Sequence, residues 1–187
     1  AFEEVIKDIN KRNVDHILNL GDSLYGSIDP KGCVDILIDS NIISVCGNED
    51  AILLEKNVDK EVHKSFEFTK RNLDYRHFRW LESLNLSEIV HNEIFLCHGT
   101  PKSFNQYLIE DVSLGFPKIQ YDKILSNLTK NIKQNKIICG HSHLQHVVKI
   151  DNKIIINPGS VGIQAYDDDK PNYHIMQSGS PHARYSV

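Results

Sequence analysis

Apolar residues at Phe2, Val5, Ile6 and Ile9 fall at helical spacing. This opening helix gives way to His16-Ile17-Leu18-Asn19-Leu20, a short apolar run closed by Gly21-Asp22 that reads as a buried strand. Pro30 suits a first helical turn, and Val34, Leu37 and Ile38 behind it predict a helix over about 30–40. Residues 42–46 form the next strand, ending in Gly47-Asn48-Glu49-Asp50. From 51 to 91 the pattern is mostly helical, with polar breaks near Asn57 and Asn72. The run Ile94-Phe95-Leu96-Cys97 is a strand ending in His98-Gly99-Thr100-Pro101. Residues 102–120 lack periodicity and read as an excursion that walls a site. Ile124, Leu125, Leu128 and Ile132 restore a helix, and Ile137-Ile138-Cys139 is a strand ending in Gly140-His141-Ser142-His143. Residues 147–150 and 154–156 flank Asp151-Asn152-Lys153 as a hairpin, and Asn157-Pro158-Gly159-Ser160 turns the chain again.

The recurring event is an apolar strand followed by Gly-Asp, Gly-Asn, His-Gly or Gly-His-Ser-His. That places metal-capable side chains, on loops, at one edge of a sheet, where open α/β sheets bind ligands.

Length and composition narrow the class. The 187 residues suffice for one α/β domain spanning 1–187. The 40% hydrophobic and 25% charged composition is that of an ordinary globular chain, with no apolar run long enough for a bilayer. A net charge of −4 with scattered Lys and Arg argues against a protein that coats long nucleic acid and leaves small phosphorylated substrates open. A homo-oligomer is compatible with the sequence. Cys33, Cys46, Cys97 and Cys139 show no C-x-x-C spacing and no signal-peptide segment precedes them, so a reducing cytoplasm is the expected location. Cys46, Cys97 and Cys139 end apolar runs and are expected to pack as small buried hydrophobes. Residue 1 is Ala, no capping residue precedes the opening helix, and the end falls within what reads as a strand. The chain is therefore expected to begin and stop within a domain.

A phosphate ester is anionic and resists hydroxide. Two metal ions about 3.5–4 Å apart neutralise its charge and generate a nucleophile near pH 7. One carboxylate must bridge them, and Asp22 is placed to do so. Asn48 offers a carbonyl oxygen, and His98, His141 and His143 offer imidazoles suited to Zn, Mn or Fe. Gly21, Gly47, Gly99 and Gly140 allow sharp turns beside them. In an extended His141-Ser142-His143 both imidazoles point to the same side.

Gly21-Asp22-Ser23-Leu24-Tyr25-Gly26, Gly47-Asn48-Glu49-Asp50, Cys97-His98-Gly99-Thr100-Pro101, Gly140-His141-Ser142-His143 and Asn157-Pro158-Gly159-Ser160-Val161-Gly162 resemble, in order and spacing, the motifs of the calcineurin-like metallophosphoesterases, specifically their small bacterial phosphodiesterase branch. The tail segments 165–169 and 179–185 are similar to those of a bacterial subgroup. The resemblance covers nearly the whole chain. It implies a four-layer α/β/β/α fold and two divalent ions (Mn, Zn, Fe or Ni), with Asp22 bridging them. Asn48, His98 and His141 would serve one ion and His143 the other, while Asp22, Asn48 and His98 take part in catalysis. The implied reaction is hydrolysis of a phosphodiester or phosphomonoester by a metal-bridging hydroxide. The runner-up substrate is a dinucleoside polyphosphate, and the non-enzymatic alternative is a protein-binding scaffold of the same fold. Two departures stand out. The family's opening strand and its Asp-x-His motif would lie before Ala1, and Glu49 stands where many relatives carry a histidine.

Plainer readings compete at several positions. Asp22 and Asn48 each suit a turn if taken alone, and only the series of motifs favours ligation. Cys97, His98, Cys139 and His141 match a structural zinc set in residue type. However, Cys97 and His98 are adjacent in a strand and face opposite sides. Glu49 reads as a site-edge residue. Asp50 either orients a ligand histidine or caps the following helix. Asp167, Asp168 and Asp169 read as a solvated loop, and Asn157 to Ser160 as a turn supporting the metal loops. His16, His63, His77, His91, His146, His174 and His182 receive no catalytic role, with His146 and His182 placed near the cleft.

Overall fold

In a computed structural model describing residues 1–26, 28–55 and 64–187, the amphipathic opening run forms helix α1 (Phe2–Ile9) and buries Val5 and Ile9. Strand β1 (Leu18–Asn19) leads to α2 (Pro30–Asp39). Asp29 fixes the start of α2 by accepting the Gly32 N–H at 2.9 Å, with Pro30 in the first turn. Strand β2 (Ile43–Ser44) pairs parallel to β1, Leu18 opposite Ile43. The loops that follow the two strands therefore emerge side by side. A Cβ on Gly21 would lie 2.5 Å from the Gly47 nitrogen, so glycine is required there for the loops to touch.

The expected helical span beyond residue 51 is divided. Helix α3 (Asn48–Leu54) starts earlier than the sequence suggests and takes in Asn48, which therefore sits in a first helical turn instead of a loop. Helices α4 (Lys64–Asn72) and α5 (Tyr75–Ser83) follow, the latter capped by Asp74, which accepts the Arg76 N–H at 2.9 Å. His63 and the break at Asn57 lie outside the described residues. The helical reading fails at its end, because Ser87–Val90 is strand β3, held antiparallel to β4 (Ile94–Cys97) with Ser87 opposite Cys97. Tertiary pairing overrides local pattern here, as it readily does in a four-residue strand.

The excursion at 102–120 contains a small hairpin, β5 (Glu110–Asp111) with β6 (Lys118–Ile119), and α6 (Asp122–Thr129) follows. Strands β7 (Lys136–Ile138), β8 (Gln145–Ile150) and β9 (Lys153–Pro158) complete a five-stranded mixed sheet of order β3-β4-β7-β9-β8. Phe95, Ile137 and Ile155 are aligned across its parallel centre. The hairpin predicted around residues 151–153 is present, with Asp151 in the left-handed region at φ 51. One buried cluster, including Cys97, Ile109, Leu125, Ile137, Cys139 and Ile155, packs α6 and the excursion onto this sheet. A second cluster, including Leu24, Val34, Leu53, Phe66 and Leu81, binds the helices α2 to α5 together. The fold is the α/β class expected, with Cys46, Cys97 and Cys139 buried.

Strands β10 (Ala165–Asp168) and β11 (His174–Gln177) form a hairpin, so Asp167 and Asp168 belong to a strand and not to a loop. The cause is Tyr166, paired opposite the fully buried Met176, which leaves Asp167 pointing outward on the alternate face. Among the described residues no helix is long and apolar enough to cross a membrane.

Candidate metal centre

The loops after β1, β4 and β7 bring Asp22, His98 and His141 together, with one donor atom from each lying within 4.8 Å of the others. His98 Nε2 stands 3.0 Å from Asp22 Oδ2 and 3.1 Å from Asn48 Oδ1. Its Nδ1 meets the Leu20 carbonyl at 2.5 Å. A carbonyl only accepts, so Nδ1 carries the proton and Nε2 keeps a lone pair for the site.

Asp22 sits at φ 54, a conformation that side chains seldom adopt and that asparate tolerates better than most. Its backbone N–H donates to Asp50 Oδ2 at 2.8 Å, and its own Oδ1 accepts the Glu49 N–H at 2.8 Å. Asp50 also accepts from the N–H groups of Ser23 and Gly47. It therefore caps α3, one of the two roles expected, and holds the Asp22 loop instead of a histidine.

His141-Ser142-His143 is not extended. His141 and His143 sit at φ 66 and φ 59, and the Ser142 N–H reaches back to the Gly140 carbonyl at 2.8 Å. The segment is a tight turn that aims its rings separately. His141 faces Asp22 and His98, its ring 5.0 Å from that of His98. His143 stands apart with its ring edge-on to Tyr166 at 4.8 Å, and its Nδ1 is buried without a hydrogen-bond partner. An unpartnered buried imidazole nitrogen is costly unless something fills its lone pair. That orphan, on the same turn as His141, is a nitrogen donor of the kind that suits a transition metal.

Electrostatics agree. Burial is the largest influence on Asp22 and raises its carboxyl, but the nearby His98 outweighs it and the net shift is downward. Burial likewise lowers His98, yet the Asp22 charge and the Leu20 carbonyl raise it overall. His141 is pushed down to about 3, first by burial and then by His98, which keeps it a neutral donor. Burial with the Asp22 and Asp50 charges pushes Glu49 up to about 8. The cysteines play no part in the cluster. Burial raises the Cys97 thiol to about 12, and its Sγ donates to the Gly99 carbonyl at 3.1 Å, which removes the basis for a Cys/His zinc set.

Four supporting residues escaped the sequence reading. Ser142 Oγ donates to Glu110 Oε1 at 2.6 Å, and Glu110 is almost fully buried. Tyr107 stacks on His141 with ring centroids 4.4 Å apart, and Tyr166 donates to the His141 carbonyl at 2.9 Å. His174 is fully buried behind Tyr107. Tyr107 and Glu110 lie in the aperiodic excursion, and nothing local marks Tyr166 or His174. Asn157 does support the turn, donating to the Gly140 carbonyl at 2.7 Å and to Ser142 Oγ at 3.0 Å. Among the other histidines, His77 is buried against Asp35, His16 pairs with His91, and His146 faces Glu110.

Comparison with known proteins gives one family and one architecture. A family model described as the calcineurin-like phosphoesterase superfamily domain matches residues 1–179. The uncharacterized protein MJ0912 of Methanocaldococcus jannaschii is 29% identical, over 94% of this chain and 76% of its own. A metallophosphoesterase from Sphaerobacter thermophilus superposes with a TM-score of 0.64 at 20% identity, covering 95% of this chain and 83% of that one. The hypothetical protein PH1004 from Pyrococcus horikoshii OT3 does so with a TM-score of 0.66 at 13% identity, covering 95% and 81%. At those identities the two structures speak to the fold alone.

Proposed function

The chain belongs to the calcineurin-like phosphoesterase superfamily, and on that premise we propose that residues 1–187 act as one domain that hydrolyses a small phosphorylated substrate, a phosphodiester first among them. The reaction depends on divalent metal held by Asp22, Asn48, His98, His141 and His143. The observation that carries the reading is the convergence of Asp22, His98 and His141 within 4.8 Å, each following a different strand. Two divalent ions, when bound, supply charge neutralisation and a water acidic enough to ionise near neutral pH.

The chain's own residues set the stage for that chemistry. Asp22 contributes the anion, kept ionised beside His98 and oriented by the Glu49 N–H. His98 presents Nε2 because Leu20 holds the opposite nitrogen. Asn48 offers Oδ1 inward, leaving its amide N–H groups for a phosphoryl oxygen. His143 would help hold metal through its buried, unpartnered Nδ1.

The test is turnover of a nitrophenyl phosphodiester by the Mn- or Zn-loaded full chain. Asp22→Asn is expected to lower it at least about a hundredfold with the circular dichroism unchanged. Turnover that is absent from the loaded chain, or that survives Asp22→Asn, would count against the reading.

A further inference from the structure

His174 is fully buried in β11, one strand of the hairpin formed late in the chain. Its Nδ1 lies 2.7 Å from the Asn172 carbonyl, so that nitrogen donates. Its Nε2 lies 2.9 Å from the Tyr107 hydroxyl. The Tyr166 hydroxyl lies 3.0 Å from the same oxygen but gives its own proton to the His141 carbonyl at 2.9 Å, so with the Tyr107 proton committed to His174 the two hydroxyls touch without a hydrogen bond between them. Meanwhile the Tyr107 ring lies almost flat on the His141 imidazole, tilted by 19°. A connection thus runs from β11 through Tyr107 to the ring of His141, while Tyr166 holds the His141 backbone independently.

Packing alone does not require these groups. Phenylalanines and an aliphatic residue would fill similar space without the desolvation cost that each buried polar group bears if left unbonded. Nor does His141 adopt φ 66 without cost, since the left-handed region brings Cβ close to the following carbonyl oxygen. A hydrogen bond to the His141 carbonyl and a ring against its imidazole restrain the two features that aim the side chain. We infer that His174 is a positioning residue for His141, acting through the hydroxyl and stacked ring of Tyr107 beside the separate restraint from Tyr166; the inference rests on the metal-site reading above. It places the control of one metal donor in residues that touch neither metal nor substrate.

The test uses the full chain with Co(II) as the probe, read by its visible absorption bands and by the dissociation constant from titration. Thermal unfolding of the metal-free chain is followed in parallel. Tyr166→Phe keeps the ring edge beside His143 and removes one hydroxyl, and Tyr107→Phe keeps the stack on His141. Each is expected to weaken Co(II) binding about tenfold and to shift the absorption bands, with the metal-free unfolding midpoint within a few degrees of the parent. His174→Gln, whose amide oxygen still accepts from Tyr107, is expected to retain most of the affinity that His174→Leu loses. If the His174 variants do not fold, Tyr107→Phe still decides. Unchanged affinity and bands in Tyr107→Phe would overturn the positioning role and leave the metal site standing. Co(II) binding by the parent that Asp22→Asn does not reduce would overturn the metal site, and this inference with it.

Discussion

Asp50 and Asp22 are locked by a reciprocal arrangement: Asp50 Oδ2 accepts the Asp22 N–H at 2.8 Å, and Asp22 Oδ1 accepts the N–H of Glu49, the neighbour of Asp50, also at 2.8 Å. Asp50→Ala would leave the N–H groups of Gly47, Asp22 and Ser23 without their acceptor. The expected loss is about 3 kcal/mol, seen as a lower urea midpoint at unchanged slope. Asp50→Asn, which keeps one oxygen, should lose less. Equal midpoints for the parent and Asp50→Ala would refute the linkage.

Gly47 is confined by space more than by conformation. A Cβ there would lie 2.0 Å from Asp22 Oδ1, so Gly47→Ala must displace the Asp22 carboxylate. The expected outcome is a folded chain whose Mn(II) affinity, measured by calorimetry, falls about tenfold or more. Parental affinity in Gly47→Ala would mean that Asp22 does not hold the ion.

Glu110 links stability to pH. Burial pushes its carboxyl up to about 7, while Ser142 pulls in the opposite direction, and His146 stands 3.5 Å away. The folded chain therefore holds this proton more tightly than the unfolded chain, whose ordinary value is 4.5. The contribution of Glu110 is fully present below about pH 4.5 and is lost as pH rises through about 7, by about 3 kcal/mol at most. Denaturant unfolding of the parent and of Glu110→Gln across that window should give a stability difference that falls with rising pH. A flat difference would contradict the assignment.

Cysteine accessibility separates a buried core from a reactive site. Cys33 is half-buried, whereas Cys46, Cys97 and Cys139 are buried with thiols raised above the usual range. An aromatic disulfide reagent applied to the native chain should label Cys33 first and reach Cys97 and Cys139 only on unfolding, as mapped by peptide mass. Early labelling of Cys97 would show that the sheet centre opens.

The site was more legible than its supports. Asp22, Asn48, His98 and His141 each follow a short apolar run, a pattern visible along the chain because strand period and loop chemistry change together. Geometry within the turn was not legible: two histidines at φ 66 and 59 cannot be told from an extended pair by residue type. Strand β3 was lost because Ser87-Glu88-Ile89-Val90 is short and follows helices directly, so only its pairing with β4 defines it. His174 and Glu110 were lost for another reason. Burial of a polar residue is decided by partners distant in sequence, and Ser142 and Tyr107 are invisible from the local context of either.

The parallel register of Phe95, Ile137 and Ile155 also dictates an order of events. Parallel neighbours cannot be closed by a tight turn, so the pairing of β4 with β7 waits on a crossover, and positions 98 and 141 remain strangers until it closes. On the proposed function, metal capture would then be a late reporter of assembly: helix formation can run ahead of it, but the coordination shell would not exist before the sheet centre is built.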